Sequence, residues 1–259
     1  MPRLLNLDVL VAPYKPIVEQ AAPTGKDEAT WPATSASLIT GERDAVLIDA
    51  GLISEDGGRI VNWVRATGKD LTTVYLTHGH GDHFFSLSMI LGAFPNARAV
   101  TAAAVVPAAQ GQVSPGYLHF WKSTFPGQIP EAPVVPDAVD GDVIDVEGNE
   151  LRVVNVGQSD TAPSTIVHIP SLDAVISGDV AYNGIHPWLA QIDHESACSG
   201  SLASSRSRHS IPGSSSPGTS ARTRATTIRP RSSAAARPTS ATSSSLFPPV
   251  ALLRNWSTR

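Results

Sequence analysis

The chain has 259 residues, 41% apolar and 16% charged, enough to bury a sizeable core as one large domain or two small ones. Its net charge of −4 hides an uneven distribution: residues 1–195 hold all 23 acidic residues against ten basic ones, a net −13, whereas residues 196–259 hold nine Arg, no Lys and no acid. No apolar run approaches the roughly 18–20 residues of a membrane-spanning helix, the N-terminal MPRLLNLDVLVAP carries no legible secretory signal, and the single cysteine, Cys198, excludes a disulfide framework and a Cys-based zinc site, so a cytoplasmic location is expected.

In chain order, Leu7–Val11, Ser35–Thr40 and Ala45–Asp49 read as strands, the last ending in LIDAG. Ser54 is a candidate cap for a helix running to about Ala66, with Ile60, Val61 and Val64 at helical spacing. Leu71–Leu76 is a strand that runs directly into THGHGDH; Phe84–Ala93 reads as a buried helix stopped by Pro95 and Asn96, and Ala97–Thr101 returns as a strand. Residues 107–136, rich in Pro, Gly and aromatics, read as a long irregular loop of the kind that carries function. Four more strands follow, Val143–Val146, Leu151–Val156, Thr165–Ile169 and Ala174–Ser177. Strands interleaved with helices, with a pause in the middle, predict two β-rich halves carrying outer helices.

The strongest chemical signal is His78-Gly79-His80-Gly81-Asp82-His83 at a strand end. A lone His is ordinarily a hydrogen-bonded core or surface residue. Three His and an Asp within six residues instead make a metal site, since imidazole and carboxylate are natural ligands of zinc. The two glycines are expected to let the backbone turn so that these side chains converge.

This motif resembles the His-x-His-x-Asp-His signature of the metallo-β-lactamase-fold hydrolases, a resemblance that spans about residues 8–195. It includes Asp49 in LIDAG and Asp179 in SGDVAYNG, with Gly157-Gln158-Ser159 where the family usually has a Gly-His pair. The resemblance implies an α/β (α+β) fold, the four-layer αββα sandwich, with the site at one edge between the sheets. It implies that His78 and His80 hold a first metal, that Asp82 and His83 hold a second, that Asp179 bridges them, and that Asp49 supports the metal loop from behind. The implied cofactor is Zn2+, one or two ions, with another divalent metal open. On that resemblance, bound metal would lower the pKa of water toward ~7 and supply hydroxide for the cleavage of a small-molecule ester, lactone, thioester or lactam, and Asp82 could take the departing proton. His119 and Trp121, in the aromatic stretch, are candidates for the substrate pocket; for His119 a surface position is an equal reading. His168, alternating with apolar neighbours, reads as structural.

Two departures from the family pattern stand out. Gln158 sits where a third His would complete the first metal site, and reads either as a weak amide ligand or as a plain hydrogen bonder. No residue satisfies the family's last Gly-His: His119, His168 and His186 do not fit the order, His194 comes too early, and His209 lies in the Ser/Arg segment. The domain division is therefore 1–195, a metallo-β-lactamase-like domain whose C-terminal half is incomplete, and 196–259, a low-complexity Ser/Arg/Ala/Pro tail expected to be disordered. From about Cys198 the tail also reads as a wrong-frame translation. Ser210–Ser220 can be encoded by codons that, read two nucleotides later, spell Asp-Pro-Arg-Val-Val-Val-Ala-Gly-His-Lys, a strand followed by the missing Gly-His. A chain lacking that strand is expected to have a bare sheet edge and impaired metal binding. The competing functions are an inactive remnant with a broken metal site, and a metal-binding domain with a basic nucleic-acid-binding tail. Nucleic acid is not expected to bind 1–195, which is acidic, nor is a membrane.

Overall fold

In a computed structural model of the chain, the residues described are 4–18, 29–183, 187, 188 and 191, with the backbone of 252–254. The rest of the tail, with the reading-frame expectation that concerns it, and residues His186, His194, Cys198 and His209 lie outside the described residues.

The first sheet is built from β1 (Asn6–Val11), β4 (Ser35–Thr40), β5 (Asp44–Ile48), β6 (Asp70–Leu76), β7 (Arg98–Thr101) and β8 (Asp137–Ala138), in that spatial order. β1, β4 and β5 pair antiparallel, and β5 through β8 run parallel. Between β1 and β4, a two-stranded ribbon joins β2 (Lys15–Pro16) to β3 (Thr30–Trp31). The second sheet has the order β13-β12-β11-β10-β9, built from β9 (Val143–Val146), β10 (Asn149–Gly157), β11 (Ser164–Ile169), β12 (Ala174–Ile176) and β13 (Leu252–Arg254), all antiparallel. A bare edge on this sheet was expected; instead the backbone of β13, from within the Ser/Arg-rich segment, pairs with β12 and engages its edge groups.

Alternation along the strands sorts side chains into layers. Ile39, Val46, Ile48, Tyr75 and Val100 of the first sheet face Leu151, Val153, Val167, Ile169 and Ile176 of the second and form the core between the sheets. The opposite face of the first sheet, with Leu38, Leu47, Val74 and Leu76, is covered by α1 (Ser54–Thr67), α2 (Leu87–Ala93), α3 (Val106–Gln112) and α4 (Pro115–Thr124). Val156, Ile166 and Val175 cluster on the outer face of the second sheet. This is an α/β sandwich; among the described residues, all α-helices fall between 54 and 124.

Two local expectations are corrected. Of the stretch 107–136 expected to be irregular, the first part forms two helices, α3 and α4, and 125–136 lies outside any helix: Pro107 and Pro115 sit in the first turns of α3 and α4, where a missing N–H costs nothing. Ser54 opens α1 without capping it, and its hydroxyl donates to the Gln128 carbonyl at 3.0 Å. The capping is done by Asp56, whose buried Oδ2 accepts the N–H groups of Leu52 and Ile53 at 3.2 Å each. The same oxygen lies 3.1 Å from Lys15 Nζ, so β2 is pinned to α1 by a buried ion pair. No helix among the described residues is long and apolar enough to cross a membrane.

Candidate metal centre

The parallel pairing of β5 with β6, in register Ile48↔Tyr75, delivers Asp49 and the segment Thr77–His83 to the same end of the first sheet. The second sheet reaches this end through β11. The N–H and hydroxyl of Thr165 both donate to the Thr77 carbonyl, at 2.9 and 2.6 Å, and His78 bridges Ser164 through its backbone. These bonds bring the turn before β11, carrying Asp160, and the 3-10 turn after β12, carrying Asp179, against the histidines.

Neither Gly79 nor Gly81 adopts a positive φ, so the turning role expected of them is corrected to one of space. A Cβ on Gly79 would stand 2.5 Å from Ala108 Cβ of α3, and one on Gly81 would stand 2.7 Å from the Phe85 ring. The convergence itself comes from a 3-10 turn at Gly81–His83.

Behind the loop, Asp49 holds three donors. Its Oδ1 accepts the Thr77 N–H at 2.9 Å, the Thr77 hydroxyl lies 3.0–3.1 Å from both carboxylate oxygens, and His83 Nδ1 meets Oδ2 at 3.0 Å. Thr77 Oγ1 in turn lies 3.0 Å from His78 Nδ1. Both rings are thus oriented through Nδ1, which leaves Nε2 for a cation.

In front, His78 Nε2 and His80 Nδ1 lie 3.6 and 2.9 Å from Asp160 Oδ2, and His83 Nε2 lies 3.4 Å from Asp179 Oδ1. The Tyr182 hydroxyl donates to Asp179 Oδ2 and the Ser159 hydroxyl to Asp160 Oδ1, each at 2.8 Å. Two donor groups result, His78–His80–Asp160 and His78–His83–Asp179, with ligand atoms within 4.8 Å of one another in each. His78 belongs to both, and one imidazole nitrogen has one lone pair. The described residues therefore complete one three-donor set at a time.

The Nε2 atoms of His78, His80 and His83 are buried with no hydrogen-bond partner. Three such atoms around two carboxylates are costly without a further partner, and a divalent cation is one that this donor set fits. The electrostatics agree. Burial, with His83 nearby, pushes the His78 pKa down. Burial also works against a charged His80 and His83, but Asp160 outweighs it at His80, and Asp179 and Asp49 outweigh it at His83, so both are raised. Asp160 and Asp179 are lowered: burial opposes their charge, and the neighbouring imidazoles more than offset it.

Against the sequence reading, His78, His80, His83 and Asp179 converge, and Asp49 stands behind them. Asp82 belongs to neither donor group; its Oδ2 accepts the Trp31 indole N–H at 3.1 Å and it borders a cavity. The donor group that contains His83 is completed by Asp179 and not by Asp82. Gln158 spends its amide N–H on the Ser159 carbonyl at 3.1 Å, and the acidic partner of His78 and His80 is Asp160. Trp121 lines the cavity, whereas His119 is exposed and does not, because α4 turns Trp121 inward and His119 to solvent. Asp160 escaped the sequence reading although it lies in the same turn as Gln158. So did Gln112, whose Oε1 accepts the Gly81 N–H at 3.3 Å and the Trp121 indole at 2.9 Å, joining metal loop to aromatic helix. His168 is buried opposite Arg152 in the β10–β11 ladder, away from the site.

A family model described as the metallo-beta-lactamase superfamily matches residues 29–237, running past Glu195 into the Ser/Arg-rich segment. Solved structures similar to the chain include a metallo-beta-lactamase from Pontibacter korlensis (TM-score 0.57, 16% identity, covering 81% of this chain and 87% of that one). They also include DIM-1 metallo-beta-lactamase exposed to ceftazidime (TM-score 0.53, 13% identity, 81% and 86%). At such identities the likeness is one of fold. Among curated proteins, the uncharacterized protein YobT of Bacillus subtilis (strain 168) is 41% identical over 61 residues, 24% of this chain. That match spans about a quarter of the relative's length, 26%.

Proposed function

Because the chain belongs to the metallo-beta-lactamase superfamily, we propose that it is a zinc-dependent hydrolase of a small ester, lactone, thioester or lactam. The observation that carries this reading is the trio of buried, unpartnered imidazole nitrogens facing Asp160 and Asp179. His78, His80 and Asp160, or His78, His83 and Asp179, would hold one ion, and a second ion would have to share the donors that remain. A cation bound there supplies Lewis acidity and hydroxide at neutral pH.

The chain's own residues supply the rest. Asp49 fixes the Nδ1 side of His83 and, through Thr77, that of His78. Tyr182 and Ser159 hold the carboxylates of Asp179 and Asp160 in place. Asp82, steadied by Trp31 at the cavity wall, takes the proton lost as water adds to the acyl carbon and passes it to the leaving group.

Metal analysis of the purified full chain, combined with assays on lactone, thioester, ester and β-lactam substrates, tests the proposal. Stoichiometric zinc, activity abolished by a chelator and activity restored by zinc are the expected results. Hydrolysis indifferent to chelation, or a protein that takes up no metal, would overturn it.

A further inference from the structure

The cavity in front of the donor groups has a volume of about 640 Å³, within the range of small-molecule sites. Its metal end is formed by His80, Asp82, Asp160 and Asp179. From there a continuous run of rings leads outward. Trp31, bonded to Asp82, lies with its ring centroid 5.0 Å from that of Trp121 and 6.0 Å from that of Trp188, and Phe120 lies 5.3 Å from Trp121. Tyr117, Phe120 and Trp188 border the cavity while 44–47% exposed, which is unusual for side chains this large grouped at one opening.

The charge pattern of the lining is the second observation. Among the described residues it contains no Lys and no Arg. Its three carboxylates are engaged: Asp82 by the Trp31 indole, Asp160 by His80 and Ser159, Asp179 by His83 and Tyr182. These carboxylates sit at the metal end, and among the described residues the aromatic wall itself, Trp31, Tyr117, Phe120, Trp121 and Trp188, carries no charged side chain. An anionic group there would be stripped of water without a partner, and an apolar group would gain from the same burial.

We propose that this cavity selects substrates whose acyl group is uncharged and apolar, an aryl or alkyl chain lying against Trp31, Phe120, Trp121 and Trp188, and that it rejects substrates bearing a carboxylate on that group. The proposal rests on the hydrolase reading for its chemistry, but the selectivity is a property of the cavity and has its own readout.

Binding is read on the metal-free full chain, where no cation can hold the probe's carboxylate, and hydrolysis on the full chain loaded with zinc. Quenching of indole fluorescence by 4-phenylbutyramide, 4-phenylbutyrate and 4-phenylbutylamine reads binding; hydrolysis of 4-nitrophenyl hexanoate and of mono-4-nitrophenyl adipate reads catalysis. The neutral amide is expected to bind at least tenfold tighter than either charged analogue, and the neutral ester to show at least thirtyfold higher kcat/KM than the anionic one. Phe120→Lys, a change at the half-exposed rim, should strengthen binding of 4-phenylbutyrate about tenfold. Selective binding without hydrolysis upholds the cavity assignment and sinks the hydrolase reading. Hydrolysis without preference for the neutral ester does the reverse. Tighter binding of the acid or the amine, or no gain in the Phe120→Lys variant, overturns the cavity assignment.

Discussion

Asp49 touches three groups of the metal loop and sits at φ 62°, a left-handed backbone that few residues other than Gly, Asn and Asp accept. Asp49→Asn would keep the shape but put an amide donor against groups that themselves donate. Metal affinity is expected to fall about 10–100-fold with the fold retained, read by competition with a chromophoric chelator. His80 and His83 give a second prediction. Neighbouring carboxylates raise both from the ordinary imidazole value, so in the metal-free protein a proton competes with a cation there up to higher pH. Cation affinity should therefore weaken as pH falls and the imidazoles fill with protons. Binding should release protons, measurable by calorimetry in buffers of different ionisation enthalpy. The residues behind these predictions were legible to different degrees. His78, His80 and His83 announce themselves, because dense ligand spacing at a strand end has few other uses. Asp160 does not, because its approach depends on the β10–β11 register, which shifts between Asn155 and Gly157, and no local pattern encodes that shift.

At the scale of elements, the first sheet and α1 follow their hydrophobic periods closely, since alternation and the Ile60–Val61–Val64 face report burial directly. The stretch 106–124 misleads because it is dense in Pro and Gly, which break most helices, whereas Pro is permitted in a helix's first turn. The contact of α3 with the metal loop gives a third prediction. Gly79→Ala drives a methyl into Ala108 and the backbone at Ala109, and the displaced loop should cost about 1–3 kcal/mol in urea unfolding along with weakened metal binding. The Lys15–Asp56 pair gives a fourth. Lys15→Met leaves a buried carboxylate without its counter-ion, and a loss of about 3–5 kcal/mol in the same measurement is expected, while the metal site, which neither residue touches, keeps its affinity.

For the whole molecule, the charge division at residue 195 remains the boldest feature of the sequence. The wrong-frame reading of the tail predicts that sequencing the gene through codons 190–200 reveals a frame change; an unbroken frame, confirmed by a peptide from the Ser/Arg region, would refute it. The larger consequence lies in the Thr77–Thr165 junction. His78, His80 and His83 hang from the first sheet, while Asp160 and Asp179 hang from the second. A cation gripped by both sets is a rivet through the seam of the sandwich. Its occupancy should be felt as tightened closure of the two sheets, with slowed amide exchange along Ser164–Ile169, and with a melting point that climbs with the logarithm of free metal.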